Sequence, residues 1–171
     1  MEISALVPIY SSYHQLNQNC ENKMESVIFI GIQASGKTTF YKNHFFDTHI
    51  RISLDQLNTK NKQNRFLQAC FDTQSKFVID NTNPEIKTRK IFIEKAKENK
   101  YKIIGYYFSS EIQNSIERNS KREGKKRIPE IGIKGTFRKL ELPKLEEGFD
   151  ELYFVKIIED RFEITEWKDE I

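Results

Sequence analysis

One short segment, residues 31–38, limits what this chain can fold into more than any other part of its sequence. It reads GIQASGKT and matches the pattern G-x-x-x-x-G-K-[ST]. In this pattern the glycines let backbone amides wrap phosphate groups, the lysine supplies a cation to the β and γ phosphates, and the hydroxyl coordinates Mg²⁺. This phosphate-binding loop therefore predicts a site for ATP and Mg²⁺. The residues expected to bind ATP here are Gly31, Ala34, Ser35, Gly36, Lys37, Thr38 and Thr39.

The sequence around the phosphate-binding loop alternates between strand and helix patterns. An apolar run at residues 27–30 enters the loop as a predicted buried strand, and a helix is expected to leave it. Further strands are predicted at 49–53, 77–79 and 102–108, and helices at 37–44, 54–72, 83–100 and from about 111. Such alternation is typical of an α/β fold of the P-loop NTPase type, in which helices cover both faces of a parallel sheet.

The two ends of the chain differ from this alternating part. Residues 1–25 are rich in Ser, Asn and Gln without a sustained period, so we expect an N-terminal extension ahead of one domain at 26–171. Near the other end, 152–158 and 162–167 have strand patterns separated by a short polar turn. They predict a C-terminal strand pair.

Charge and composition indicate the setting and the partners. The net charge is only +3, yet residues 86–140 carry 16 Lys and Arg against 6 Asp and Glu. A basic middle favours a polyanionic partner such as ATP or nucleic acid, although a solvated helix face has the same composition. No apolar run reaches the ~18 residues of a membrane helix, and the first residues lack a basic stretch. We therefore expect a cytoplasmic protein without a membrane partner, whose Cys20 and Cys70 are free thiols.

Polar residues follow two of the predicted strands, at the edge where ligands bind in open α/β sheets. Asp55 lies just past the second strand and can accept a proton from an attacking hydroxyl; the alternative is a helix N-cap. Asp80 ends the third strand and is a candidate for Mg²⁺ binding or for contact with the acceptor. Thr82 and Asn83 offer hydrogen bonds beside it. Asn83 is also expected to cap the next helix, with Pro84 at its first position.

A basic segment near residues 115–128 is the third candidate feature. Arg118 and Arg122 are four residues apart, so on a helix they would project from one face. Two guanidinium groups can hold phosphate oxygens as charge develops during transfer. Gly124 permits a bend after them, so we expect this basic lid to close over a bound nucleotide. The alternative is a solvated basic turn.

Taken together, these motifs resemble the kinase domain of polynucleotide 5′-hydroxyl kinases, as found in the animal DNA-repair kinase–phosphatase and in the phage polynucleotide kinase. The matching elements occur in the family's order over about residues 27–158. They are GIQASGKTTF, the strand end at Asp55, VIDNTNP followed by Arg89, RNSKR in the lid, and the closing Phe137-Arg138, Leu142-Pro143 and Glu147-Gly148-Phe149. The resemblance implies an adenylate-kinase-like fold and transfer of the γ-phosphoryl group of ATP to the 5′-hydroxyl of RNA or DNA.

The resemblance also implies roles for individual residues. Those implied to be catalytic are Lys37, Asp55 as general base, Asp80 as a second essential aspartate, and Arg118 and Arg122 as lid arginines on the donor phosphates. Those implied to bind the acceptor are Asp55, Asp80, Thr82, Asn83 and Arg89, and those implied to hold Mg²⁺ are Thr38 and Asp80. One departure concerns the acceptor: Asn58 stands where the phage enzyme has an arginine, and Lys60, Lys62 or Arg65 are the possible substitutes.

Two other functions fit part of the sequence. One is a small-molecule kinase of the same superfamily, such as an antibiotic or nucleotide-sugar kinase, because related P-loop folds carry many activities. The other is a nucleotide-binding regulatory or toxin–antitoxin module. The basic middle and the lid favour a nucleic-acid acceptor. The D-x-D-G-T sequence typical of the partner phosphatase does not occur in these 171 residues, so we expect only the kinase reaction from them.

Overall fold

A computed structural model describes residues 24–168, apart from the side chain of Lys125. Cys20 and residues 1–23, which form most of the predicted N-terminal extension, lie outside this range. Glu25, the last residue assigned to that extension, is already the first residue of a strand. The folded domain therefore begins slightly earlier than predicted.

Within residues 24–168, six strands form one sheet. They are β1 (Glu25–Ile30), β2 (Ile50–Ile52), β3 (Phe77–Ile79), β4 (Lys102–Phe108), β5 (Glu151–Ile158) and β6 (Arg161–Glu166). Their order across the sheet is β2-β3-β1-β4-β5-β6, with β1 to β5 parallel and β6 antiparallel to β5. Both the parallel sheet and the C-terminal strand pair are as predicted.

Helices connect the parallel strands. Those described are α1 (Lys37–His44), α2 (Leu54–Leu57), α3 (Lys60–Asp72), α4 (Ile86–Glu98), α5 (Ile112–Ser120) and α6 (Glu130–Arg138), and 3₁₀ turns span Gly124–Lys126 and Leu145–Glu147. None of the helices within residues 24–168 combines the length and the apolar character needed to cross a lipid bilayer.

The central strand β1 is buried on both faces because its side chains alternate between two cores. Val27 and Phe29 pack with Phe40 of α1, whereas Ile28 and Ile30 pack with α3 and α4 on the other face. All four β1 residues are fully buried, and burial of each such side chain contributes about 1.5–3 kcal/mol. A strand covered on both sides reads as a continuous apolar run. The predicted α/β fold with helices on both faces is thereby confirmed.

The segment at 54–72 contains two helices instead of the single predicted one. Asn58 follows α2 with a positive φ of 63°, which ends the helix. The side chain of Thr59 then caps α3 by accepting a hydrogen bond from the Lys62 amide. An asparagine tolerates this left-handed conformation better than most residues. The break separates the short helix that carries Asp55 from the longer core helix.

Asn83 does not cap α4, whose N-cap is Glu85, so that prediction is wrong, and Asn83 does not line the cavity beside the phosphate-binding loop. It adopts a positive φ of 43°, and α4 begins three residues later at Ile86. Its side chain is 2% exposed and donates to the Phe29 carbonyl at 2.8 Å. Asn83 thus ties the segment after β3 to the middle of β1.

Arg89 was predicted to contact the acceptor and instead forms a buried clamp. Its side chain is completely buried, and both Nε and Nη2 donate to the Glu147 carboxylate at 2.7 Å. Its Nη1 donates to the carbonyls of Pro84 and Glu141 at 2.9 and 3.1 Å. The guanidinium group therefore joins the start of α4 to the 141–147 segment, and Arg89 does not line the cavity beside the phosphate-binding loop.

The remaining cysteine agrees with its prediction. Cys70 is a free thiol buried in α3, and burial raises its pKa to about 11. A thiol with so high a pKa is almost entirely protonated near neutral pH and is a poor nucleophile. Cys70 is a core residue.

Replacing Arg89 should destabilise the fold more than it affects the chemistry. Arg89→Met leaves the buried Glu147 carboxylate without its partner, so the free energy of unfolding measured with urea should fall by about 3–5 kcal/mol. Lys90→Met is the matched control, because Lys90 is exposed and makes only a 3.7 Å pair with Glu94. Unchanged stability combined with lost acceptor binding would return Arg89 to the substrate site.

Candidate active site

Two glycines give the phosphate-binding loop its shape. Gly31 has a φ of 146°, and its amide donates to the Thr82 carbonyl at 2.9 Å. A β-carbon at Gly31 would lie 3.1 Å from the Phe108 carbonyl oxygen, and one at Gly36, where φ is 99°, would lie 2.7 Å from Ile157. The loop then turns directly into α1 at Lys37. The amides of the first helical turn have no acceptor within the helix, so they point toward the place where a phosphate binds.

Lys37 is held inside the loop by three oxygen acceptors. Its ammonium group donates to the carbonyls of Gly31 and Ile32 at 2.9 and 2.5 Å and to the Ser35 hydroxyl at 3.1 Å. The side chain is buried, and this burial lowers its pKa from 10.5 to about 8, although the nearby carboxylate of Asp80 acts in the opposite direction. Lys37 is therefore mostly charged at neutral pH and loses its proton in a pH range that experiments readily reach.

The loop forms one wall of a cavity of about 250 Å³ at the carboxyl ends of β2 and β3. The residues predicted from sequence that line it are Ala34, Ser35, Gly36, Lys37, Thr38, Asp55, Asp80, Thr82 and Arg122. Thr39 lies exposed on the first turn of α1 and does not line this cavity. The structure thus assembles most of the predicted nucleotide and acceptor residues around one space.

Asp55 does not serve as the cap of its helix. The N-cap of α2 is Ser53, whose hydroxyl accepts a hydrogen bond from the Asp55 amide at 3.3 Å. Among residues 24–168, no side chain or amide donates to the Asp55 carboxylate, which is exposed and lines the cavity. Asp55 is therefore not the helix N-cap that the sequence also allowed. Its carboxylate is available to accept a proton.

Asn81 positions Asp55, and sequence reasoning did not single it out. Its side-chain oxygen accepts from the Leu54 amide at 2.9 Å, and its amide donates to Gln63 at 3.1 Å. These bonds connect the end of β3 to both α2 and α3. The DNTNP motif gave the signal, because an amide following a buried strand has to find partners among neighbouring elements.

Asp80 is the centre of a small polar network. Its Oδ2 atom accepts from the Thr38 hydroxyl at 3.1 Å and from Arg51, whose Nε and Nη2 lie at 2.7 and 2.6 Å. Arg51 also donates to the Thr38 hydroxyl at 3.3 Å. Sequence reasoning missed Arg51, because a single arginine within a three-residue strand carries no motif signal.

The side-chain oxygens of Thr38 and Asp80 suit Mg²⁺ as ligands. Both offer hard oxygen atoms, and Oδ1 of Asp80 accepts no hydrogen bond from any residue in the described part of the chain. Residues 24–168 contain no cluster of three or more His, Cys, Asp or Glu side chains that could hold a metal by themselves. Mg²⁺ at nucleotide sites commonly has one or two carboxylates plus substrate phosphates, and the residues present fit that pattern.

The two lid arginines do not share a helix face, which corrects the prediction from their spacing. Helix α5 ends at Ser120, so Arg122 lies in the following loop, where it lines the cavity beside the phosphate-binding loop. Arg118 remains on the helix, donates to the Ala34 carbonyl at 2.7 Å, and lines a separate small cleft near Ile157. Ser35 lines both spaces, so each arginine lines a different space that borders the phosphate-binding loop.

Hydrogen bonds close the basic lid and connect its surroundings to the phosphate-binding loop. Asn119 and Ile128 exchange two hydrogen bonds, of 2.7 and 3.0 Å, which close the 120–127 segment into a loop. In α6, which follows the lid, the Thr136 hydroxyl accepts from the Gln33 side chain of the phosphate-binding loop at 2.9 Å. The phosphate-binding loop is therefore joined to the lid through Arg118 and to α6 through Gln33.

Comparison with known proteins agrees with this geometry. No family model matches the chain. It is 29% identical over 143 residues to a bifunctional polynucleotide phosphatase/kinase of Schizosaccharomyces pombe, and 27% identical over 155 residues to a putative protein of the same name from Acanthamoeba polyphaga mimivirus. The resemblance inferred from the motifs is confirmed. These matches cover 81% and 85% of this chain but only 35% and 37% of the relatives. This chain therefore spans about a third of the relatives' length.

A solved structure supports the fold independently. A sugar kinase from a Janibacter species superimposes with a TM-score of 0.60 at 15% sequence identity, over 78% of this chain and 85% of that one. At so low an identity the likeness concerns the fold alone. The chain has the fold of a P-loop kinase.

Because burial sets the pKa of Lys37 near 8, nucleotide binding should depend on pH in the alkaline range. Bound phosphates favour the charged ammonium and raise its pKa, so ATP affinity should fall as pH rises above about 8, by at most tenfold per pH unit. Calorimetric titration between about pH 7 and pH 9.5 measures this change. In Lys37→Met the affinity should be lower and independent of pH over that range, and an equal slope in both proteins would exclude Lys37 as the titrating group.

Proposed function

We propose that this chain transfers the γ-phosphoryl group of ATP to the 5′-hydroxyl of a polynucleotide. The observation that carries the proposal is the unpartnered carboxylate of Asp55, which faces the same cavity as Lys37, Thr38 and Arg122. A phosphate-binding loop alone indicates nucleotide use. A free carboxylate opposite that loop adds the group needed to activate a hydroxyl acceptor.

In this proposal each group at the cavity has one task. Asp55 accepts the proton of the 5′-hydroxyl while the hydroxyl oxygen bonds to the γ-phosphorus and the bond to the β-phosphate oxygen breaks, releasing ADP. Lys37 and Arg122 stabilise negative charge on the oxygens of the transferring group. Arg118, in its separate cleft, would bind a part of the ATP donor that is distant from the transferred group. Thr38 and Asp80 would hold Mg²⁺, which supplies further neutralisation of phosphate charge.

The acceptor would approach past the first turns of α3. Gln63 on this helix is buried and bonded to Asn81 at the cavity wall, and its neighbours Lys60 and Lys62 are exposed. Asn58, which replaces the family's arginine, is in the turn before them. Lys60 and Lys62 are the substitutes that we favour for holding the backbone phosphates, with Arg65 one turn further along. Such contacts weaken with salt.

Label transfer from γ-labelled ATP is the direct test. The acceptors are matched RNA and DNA oligonucleotides with a 5′-hydroxyl, the same oligonucleotides with a 5′-phosphate, and a panel of sugars and antibiotics. Labelling only of 5′-hydroxyl ends supports the proposal and shows whether the 2′-hydroxyl matters. Labelling of the small molecules, or of nothing, would favour a small-molecule kinase or a nucleotide-binding module.

Removing the base should slow chemistry without changing nucleotide binding. Asp55→Asn keeps the shape of the side chain, and kcat should fall by about 10²–10⁴-fold because no carboxylate accepts the proton. The matched control is Asp47→Asn, at an exposed position after α1. If Asp55→Asn lowered only the melting temperature and left kcat intact, Asp55 would have no catalytic task.

The shape of the Arg122 side chain should matter as well as its charge. A planar guanidinium group donates several hydrogen bonds to phosphate oxygens, which an ammonium group cannot reproduce. Arg122→Lys should therefore lower kcat by about 10²–10³-fold, whereas Arg127→Lys, at an exposed position outside the cavity beside the phosphate-binding loop, should be nearly silent. Equal turnover of Arg122→Lys and the wild type would reduce Arg122 to a source of diffuse positive charge.

A further inference from the structure

Arg51 lies between the phosphate-binding helix and the third strand, at the metal-binding pair. It is the central residue of β2 and pairs in register with Val78 of β3, so its side chain shares a sheet face with Asp80 two residues further on. Its guanidinium carbon lies 5.8 Å from the centre of the Tyr41 ring on α1. The Arg51 side chain is 16% exposed and that of Asp80 is 2% exposed. The cation is therefore built into the site and does not belong to the solvated surface.

Arg51 occupies both groups proposed to hold the metal, although it leaves Oδ1 of Asp80 free. Nε of Arg51 donates to Oδ2 of Asp80 at 2.7 Å, Nη2 lies 2.6 Å from the same oxygen as an ion pair, and Nη2 donates to the Thr38 hydroxyl at 3.3 Å. The Thr38 hydroxyl donates its own proton to Asp80, so its lone pairs are what it can offer to Mg²⁺. One of those lone pairs faces Arg51. A metal ion at Thr38 must either use the other lone pair, close to the guanidinium cation, or displace this long hydrogen bond.

The charges at the cavity are also unfavourable for a free cation. The ionised groups at or beside its wall are Lys37, Arg51, Arg122, Asp55 and Asp80. Three of them are positive and two are negative, which leaves one net positive charge. A polyphosphate is attracted to such a site, whereas a free divalent cation is repelled and must also lose strongly bound water. Without Arg51 the charges would balance, and the Asp80 carboxylate would be unpaired.

We propose that Arg51 is a specificity-determining residue that makes this site accept Mg²⁺ only together with a nucleotide. The inference rests on the proposed nucleotide site. The phosphates bring enough negative charge to outweigh the three cations, and they supply the remaining metal ligands. Arg51 then keeps its ion pair with Oδ2 of Asp80, while the metal would use Oδ1 and the Thr38 hydroxyl. Without nucleotide, the positive charge of Arg51 beside these two groups opposes binding of the metal alone.

Binding of Mn²⁺ to the full chain without nucleotide tests the proposal, because the free ion has an electron paramagnetic resonance signal that is lost on binding. The wild type should bind Mn²⁺ alone weakly, and Arg51→Met should bind it about tenfold or more tightly, since one nearby positive charge is removed. Arg51→Lys keeps the charge and should still exclude the free ion. Arg161→Met, at an exposed position on β6, is the matched control and should behave as the wild type.

A second measurement separates this inference from the proposed function. ADP binding is titrated with and without Mg²⁺ for the same four proteins, and the dependence on Mg²⁺ should be steepest in the wild type and weaker in Arg51→Met. If Arg51→Met does not fold, Arg51→Gln, which keeps a hydrogen-bond donor without the charge, replaces it. Nucleotide binding by the wild type with equal Mn²⁺ affinity in all variants would overturn the role of Arg51 alone. A wild type that bound no nucleotide, with or without Mg²⁺, would overturn both proposals.

Discussion

The site depends on the parallel register of three adjacent strands, β1, β2 and β3. Ile79 of β3 lies opposite Ile28 of β1 and Ile52 of β2, so the chain leaves all three strands at one edge of the sheet. Two backbone bonds continue this alignment beyond the strands, from Gly31 to the Thr82 carbonyl and from Asp80 to the Ile52 carbonyl, both at 2.9 Å. A shift of one residue would turn the side chains to the other face. The phosphate-binding loop, the Asp55 helix and the Asp80 strand end would then no longer meet.

Buried and half-buried polar side chains hold the loop that follows β3. Asn81, Asn83 and Arg89 all come from one short stretch, and each connects it to a different element: α2 and α3, β1, and the 141–147 segment. Buried polar groups are costly unless they are paired, so these contacts restrict the stretch to one arrangement. Asn81 and Thr82, which line the cavity, belong to this stretch. Precise positioning of this kind is what phosphoryl transfer requires from a protein.

Local features of this protein could be predicted from the sequence, whereas side-chain partners distant along the chain could not. The phosphate-binding loop, the strand ends at Asp55 and Asp80, and the start of α1 follow from short-range patterns. Arg89 and Asn83 belong to a motif that resembles a binding site, but their partners lie 58 and 54 residues away along the chain. Arg51 belongs to no motif, and it reaches Asp80 only because β2 pairs with β3. Arg122 depends on where α5 ends, and helix ends are poorly determined by periodicity alone.

The end of α5 decides what the two lid arginines can reach. Residues four apart on a continuous helix lie about 5–6 Å from each other on one face, and both would then stand near Ala34. Because α5 stops at Ser120, the chain turns and brings Arg122 to the cavity that Lys37 and Asp55 line, while Arg118 stays beside Ala34 in a separate cleft. The paired bonds between Asn119 and Ile128 hold this turn. One asparagine at the helix terminus thus lets two neighbouring arginines line different spaces beside the phosphate-binding loop.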